Sequence, residues 1–129
     1  AQLLQEVPYD PYLYFHGEEI NLTVRAWTHG CDIFHPNQIV CYHEYIRPGK
    51  PRHWEDHPRW WQLDQTAHQR LQQLLGAAPG AISLGPYGLG RQRSLQDYEQ
   101  FSGVNFQRQT LTDLARQGIP NLRAQAQPN

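Results

Sequence analysis

The sequence predicts an α/β chain in which a short mixed sheet is packed by helices. Helical apolar periods ending in glycine stop signals cover residues 18–29 and 64–75, with a capped start at 94. Short aromatic and β-branched runs lie around them, at 12–15, 32–34 and 38–43. A length of 129 residues leaves room for a single core, because domains commonly run to about 100–150 residues.

Residues 1–16 read as an extended lead-in. Pro8 and Pro11 fix their own φ and push the preceding residue out of the helical region. Tyr12-Leu13-Tyr14-Phe15 then has the make-up of a buried strand. Glu18 and Glu19 open a helix, where negative charge suits the positive end of the dipole. Ile20, Val24 and Trp27 repeat along one face, and Gly30 stands where a left-handed residue ends the helix, giving 18–29. Asp32-Ile33-Phe34 and Gln38–His43 read as strands separated by a turn at Pro36-Asn37. Residues 47–60 carry three prolines and read as irregular. Leu71, Leu74 and Leu75 predict a helix from about Asp64 that stops at Gly76. A Gly/Pro/Ala loop follows to Gly90. Ser94-Leu95-Gln96-Asp97 is a capping-box start for a helix to about Phe101. A last short helix begins in Thr110–Asp113 and ends before Gly118, leaving a Gln-rich tail after Pro120. Residues 1–106 thus form the main unit, and 107–129 a short helix with a tail.

Composition narrows the classes. Leu, Ile, Val and Phe number 28, just above the roughly one-fifth of the chain below which sequences tend to stay disordered. The core must therefore draw on the 4 Trp, 7 Tyr and 4 Phe. A net charge of −1 excludes bulk nucleic-acid binding. No apolar run is long enough to span a membrane, and the opening AQLLQEVPYD lacks the pattern of a signal peptide. Two cysteines, Cys31 and Cys41, cannot make a disulfide scaffold, which points to a reducing, cytoplasmic setting. The small net charge hides an asymmetry: residues 1–45 sum to −5 and the remainder to +4, and ten of the eleven bases are arginine. Arginine suits planar contacts with carboxylate and phosphate. With no methionine in the chain, either an initiator was removed or this is part of a longer protein.

Four motifs carry chemistry, each with a plainer alternative. Gly17-Glu18-Glu19 sits at a strand-to-helix junction, where α/β proteins bind ligands, so the two carboxylates can orient a sugar hydroxyl and one of them can act on an acceptor proton; the alternative is dipole complementation. His43 ends a strand and offers a neutral imidazole to a metal; the alternative is a structural histidine. His29, His35, His53, His57 and His68 show no paired spacing for a closed zinc site. Gly85-x-x-Gly-x-Gly with Arg91 and Arg93 can cradle a diphosphate; the alternative is a turn-rich connector. Trp54, Trp60 and Trp61 can stack on a sugar ring or a base, or simply fill the core.

The order of these motifs is more specific than any one of them. Pro8-Tyr9-Asp10-Pro11, Gly17-Glu18-Glu19-Ile20, Arg25-Ala26-Trp27-Thr28-His29-Gly30, Pro36-Asn37, His43-Glu44-Tyr45, Leu84–Gly90, Arg93-Ser94-Leu95, Tyr98 and Phe101–Val104 together resemble the C-terminal half of a nucleotide-sugar glycosyltransferase of GT-A architecture. The nearest likeness, over roughly residues 8–106, is to polypeptide N-acetylglucosaminyltransferases that modify hydroxyproline. Mucin-type polypeptide N-acetylgalactosaminyltransferases are similar more distantly, in the spacing of Glu18, Arg25, Trp27 and His43; Val40 stands one place further from the histidine than in their pattern.

That resemblance implies a C-terminal portion of a GT-A-like fold. It implies a metal-dependent transfer of N-acetylglucosamine, or a related sugar, from a UDP-sugar to a protein or peptide hydroxyl. His43 would be the protein ligand that completes a Mn2+ or Mg2+ site, and Glu18 and Glu19 would stand at the sugar and acceptor end. Arg47, Arg91, Arg93 and Trp27 would lie on the donor side, the arginines at the diphosphate oxygens. Relatives retain the anomeric configuration, so no water-activating carboxylate pair is expected. The D-x-D motif that shares the metal in this family has no counterpart here. Such a chain is expected to be one half of a longer enzyme, inactive alone and able to dimerise through a bare sheet edge. A non-catalytic carbohydrate- or protein-binding module derived from the same fold is the second expectation, and a small His-rich metal protein the third.

Overall fold

The computed structural model describes residues 2–46 and 48–122. The order of elements is α1 (Gln2–Glu6), α2 (Glu18–Thr28), α3 (His53–Asp56), α4 (Trp60–Leu74), a 3-10 turn (Gly85–Tyr87), α5 (Leu95–Ser102), β1 (Val104–Asn105), β2 (Thr110–Leu111) and α6 (Asp113–Arg116). Helices dominate. The described strands form one two-stranded antiparallel sheet, pairing Val104 with Leu111 and Asn105 with Thr110.

α2 is the pillar of the molecule. It begins after Gly17, whose φ of 83° is left-handed and whose missing Cβ would stand 2.5 Å from Leu71 Cδ2, so a side chain there would strain the backbone and displace Leu71. It ends in a Schellman arrangement: Gly30 N–H donates to Trp27 O (2.9 Å) and Cys31 N–H to Ala26 O (3.0 Å), with Gly30 at φ 90°. Val24 and Trp27 on its inner face are fully buried. They meet Leu75, Tyr98 and Phe101, and this five-residue cluster is the core, with Ile20, Leu71, Leu89 and Leu95 packed against it. The Trp27 ring stacks on Phe101 (centroids 4.6 Å apart, 15° between planes) and meets Tyr98 edge-on at 5.9 Å.

α5 starts as its capping box predicts. The Ser94 hydroxyl accepts from Asp97 N–H (3.1 Å), and Asp97 Oδ2 accepts from Ser94 N–H (2.7 Å). The Ser94 hydroxyl also donates to Asp97 Oδ2 (2.7 Å); this bond first, and the one from Ser94 N–H second, favour the ionised carboxylate and hold Asp97 below its ordinary pKa, with partial burial opposing them. α4 begins at Trp60, four residues before the predicted start. Trp60, Asp64, Ala67, Arg70, Leu71 and Leu74 make one continuous inward stripe. Two of its members are charged, which an apolar count misses.

Among the described residues the predicted mixed sheet is not seen; helices with one small antiparallel sheet, compatible with an α/β class, stand in its place. Residues 12–15, 32–34 and 38–43 contain no strand, and from Phe34 to Ile46 every residue is exposed. A strand needs a neighbour for its N–H and C=O groups, and no described segment lies alongside to provide one. The sheet that does form, β1–β2, was not predicted, since two-residue strands carry too little alternation to read. α3 interrupts the stretch expected to be irregular. The last helix is shorter than expected, running from an N-cap at Thr112 to Arg116.

Candidate functional site

Two neighbouring carboxylates at the start of α2 diverge. Glu18 turns toward Tyr9, whose hydroxyl donates to it. Burial, that hydrogen bond and the charges of Glu18, Glu19 and Asp10 push the Tyr9 hydroxyl up to about 12, so it stays protonated and remains a donor. Glu19 is exposed and lines a cleft of about 570 Å³. The opposite walls of that cleft include Phe34, Tyr98, Phe101 and Ile119, so a single carboxylate stands at the edge of a largely apolar, aromatic cavity.

Beside Glu18 lies a buried polar network that sequence reading missed. Asp10 and Arg70 are almost completely enclosed, and Arg70 Nε (3.0 Å) and Nη2 (2.8 Å) both donate to Asp10 Oδ2. Tyr12 N–H adds a third bond to Asp10 Oδ1 at 3.0 Å. The Arg70 guanidinium lies 4.8 Å from the centre of the Tyr12 ring. Arg25, fully buried, donates to Asn21 Oδ1 and to Pro86 O at 3.3 Å each and faces the Tyr87 ring at 5.7 Å. Its Nε has no partner among the described residues. Desolvation lowers the Arg25 pKa, with the Asp10 charge and Tyr87 opposing it. The only sequence signal for this network was Asp10 held between two prolines. Its partner stands 60 residues away, beyond the reach of any local pattern.

The donor-side candidates are dispersed. Trp27 is fully buried and offers no surface; its ring is sandwiched between Phe101 and the Arg93 guanidinium, which sits 4.5 Å from the ring centre. Arg93 is engaged with Asp32 Oδ1 (2.8 Å) and Cys31 O (3.2 Å), so it fastens the end of α2 to the start of α5. Arg91 is exposed on the same loop. Arg47 lies outside the described residues. The glycine loop itself is occupied. Gly90 N–H donates to Thr28 Oγ1 (2.8 Å), and Gln92 and Arg93 N–H donate to Thr28 O (3.0 and 3.2 Å). A Cβ on Gly90 would come within 2.3 Å of Thr28 O, so its glycine serves a close backbone approach. That is the connector alternative for the motif.

His43 is exposed, with the Tyr45 ring 4.1 Å away. Mn2+ and Mg2+ ask for about six ligands, mostly oxygen. Among the described residues no group of three potential ligands includes His43, so the residues present do not fit that ion and no chemistry is routed through it. Of the tryptophans expected to stack on a ligand or fill the core, Trp54 and Trp61 are exposed and Trp60 is half-buried on α4.

The arrangement defines a helix-built region with an acidic rim at one helix N-terminus, an aromatic cleft beside it and a buried Asp–Arg network behind. The family model "Glycosyltransferase (GlcNAc)" matches residues 1–108, and the chain belongs to that family. No curated protein and no solved structure matches it. Glycosyl transfer is therefore the general role. No helix among the described residues is long and apolar enough to cross a membrane, and Cys31 and Cys41 are unpaired.

Proposed function

We propose that this chain carries the acceptor side of a glycosyltransferase that moves N-acetylglucosamine from a UDP-sugar to a protein or peptide hydroxyl, within a fold of GT-A type. The observation that carries the reading is the presentation of Glu18 and Glu19 at the N-terminus of α2 within the matched region. Glu18, at the positive end of α2 and hydrogen-bonded by the Tyr9 hydroxyl, accepts a hydrogen bond from a sugar or acceptor hydroxyl. Glu19 orients the acceptor over the aromatic cleft, where Tyr98 and Phe101 supply apolar contact. The exposed stretch 34–46 supports a further part of the reading. Phe34, Ile39, Val40, Tyr42 and Tyr45 are each more than 70% exposed, a density that marks an interaction surface. In this proposal it pairs with a nucleotide-binding part of the enzyme. Arg47 and Arg91 then face the diphosphate.

The test is transfer from UDP-N-acetylglucosamine to a hydroxyproline or serine peptide by the complete protein. Glu18→Gln is expected to lower kcat/KM by about a hundredfold or more. Glu19→Gln is expected to act chiefly through the peptide KM. Wild-type rates in both variants overturn the assignment.

A second reading, a binding module without donor chemistry, is favoured because among the described residues no group of three potential ligands includes His43. It predicts peptide or sugar binding without turnover, and a His43→Ala variant that binds unchanged.

A further inference from the structure

We propose that His16, Asp64 and His68 form a Zn2+ site that joins the loop before α2 to the first half of α4. It does not depend on the transferase reading. Asp64 and His68 are one turn apart on α4, so they share a face. His16 arrives from a segment 48 residues earlier, and its Nδ1 stands 2.8 Å from Asp64 Oδ1. His68 Nδ1 is 3.3 Å from Asp64 Oδ2 and 2.9 Å from the Asp64 carbonyl oxygen. One ligand atom from each of the three side chains falls within 4.8 Å of the others. The two imidazole rings are 5.7 Å apart, centre to centre, and tilted by 45°.

The backbone that carries these groups is already held. On one side of His16, the buried Asp10–Arg70 pair ties the loop to α4. On the other, Gly17 lies directly on Leu71. Binding an ion therefore orders side chains and not the chain itself. Tetrahedral zinc with bonds of about 2.0–2.1 Å places its ligands about 3.3 Å apart. Both histidine side chains are half exposed and Asp64 is about one-fifth exposed, so small rotations adjust the cluster to that spacing. Two imidazoles and one carboxylate are a nitrogen-rich, borderline set that suits Zn2+ and not Mg2+ or Mn2+. Three protein ligands leave one position open to water or to an incoming oxygen or nitrogen ligand. The site ends one residue before Gly17 and two before Glu18, so the ion would stiffen the approach to the acidic rim. The sequence hid this site because its third member comes from a distant loop and the helical pair is Asp-x-x-x-His.

Titration calorimetry of the 129-residue chain with Zn2+ is expected to show one ion per chain with a dissociation constant in the micromolar range or tighter, on the order of the −8 kcal/mol that such affinity represents. Asp64→Asn, His16→Gln and His68→Gln should each weaken it about tenfold or more, whereas His43→Gln leaves it unchanged. In the unmodified chain, Zn2+ should protect His16 and His68 from diethylpyrocarbonate, mapped by mass spectrometry, while His43 reacts as before and Mg2+ protects neither. Equal reactivity of His16 and His43 with Zn2+ present, or undiminished one-to-one binding in the triple variant, overturns the proposal.

Discussion

The α2–α5 block and the stretch from Phe34 to Ile46 are similar in apolar and aromatic content but opposite in structure. In the block, Val24, Trp27, Tyr98 and Phe101 are buried within one cluster. In the stretch, Phe34, Ile39, Val40, Tyr42 and Ile46 stand exposed, up to 88% at Tyr42. The difference lies in where the backbone hydrogen bonds go. A helix satisfies them within its own segment, so α2 needs a partner only for one face. An extended segment needs another strand at its side before its side chains acquire an inside. Hydrophobic residues fold a segment only when its backbone has somewhere to pair.

The strongest challenge to this comparison is Trp27→Ala. It removes the ring that joins Phe101, Tyr98 and Arg93, and the expected loss is about 3–5 kcal/mol in urea unfolding. Tyr42→Ala, which deletes an aromatic side chain in the exposed stretch, should stay within about 0.5 kcal/mol. A comparable loss at both positions would erase the contrast. Close behind comes Asp10→Asn, which leaves Arg70 and Arg25 enclosed without the carboxylate between them. About 3 kcal/mol or more should go, and replacing Asp10 and Arg70 together by Leu and Met should recover most of it.

A smaller effect sits at the start of α5. Ser94→Ala should cost about 1 kcal/mol through loss of the cap. Its pH signature has a definite sign. Because Asp97 is held below its ordinary pKa in the folded state, it contributes stability above the unfolded carboxylate range. That contribution is lost as pH falls through the lower folded value. The gap in unfolding midpoint between the wild type and Asp97→Asn should therefore close on acidification below the ordinary carboxylate range. A gap that widens instead would refute the cap assignment. The smallest expected effect is that of Ile39→Ser with Val40→Ser. Stability should be unchanged within about 0.5 kcal/mol, while self-association measured by sedimentation falls, because these residues offer the exposed apolar surface. Unchanged association would mean that another face carries any dimer.

Where local chemistry sufficed, the reading from sequence came close. The bounds of α2 follow from Glu18-Glu19 at one end and Gly30 at the other, and the capping box of α5 is written in Ser94 and Asp97. α4 was read late because its first turns bury Trp60 and Asp64 in place of leucines. The strands at 12–15, 32–34 and 38–43 were misread for one reason: residue type measures how well a side chain suits a pleated surface, not whether a neighbour is present. Within the candidate site, Glu18 and Glu19 were legible as charges at a helix start. Arg70 and the His16–Asp64–His68 cluster were not, because each joins residues dozens of positions apart, and Tyr9 was not, because its partner Glu18 lies across a loop nine positions on.

The sequence alone determined the family, through the order of its motifs along the chain, and also the helix boundaries marked by caps and glycines and the acidic start of α2, which rest on groups within a few residues of one another. Tertiary structure alone decided that Trp27 and Arg93 serve the core, that the glycine loop clasps Thr28, and that Asp10 meets Arg70. Burial and long-range pairing depend on which surfaces come together when the chain closes on itself, and no short stretch of residues encodes that meeting.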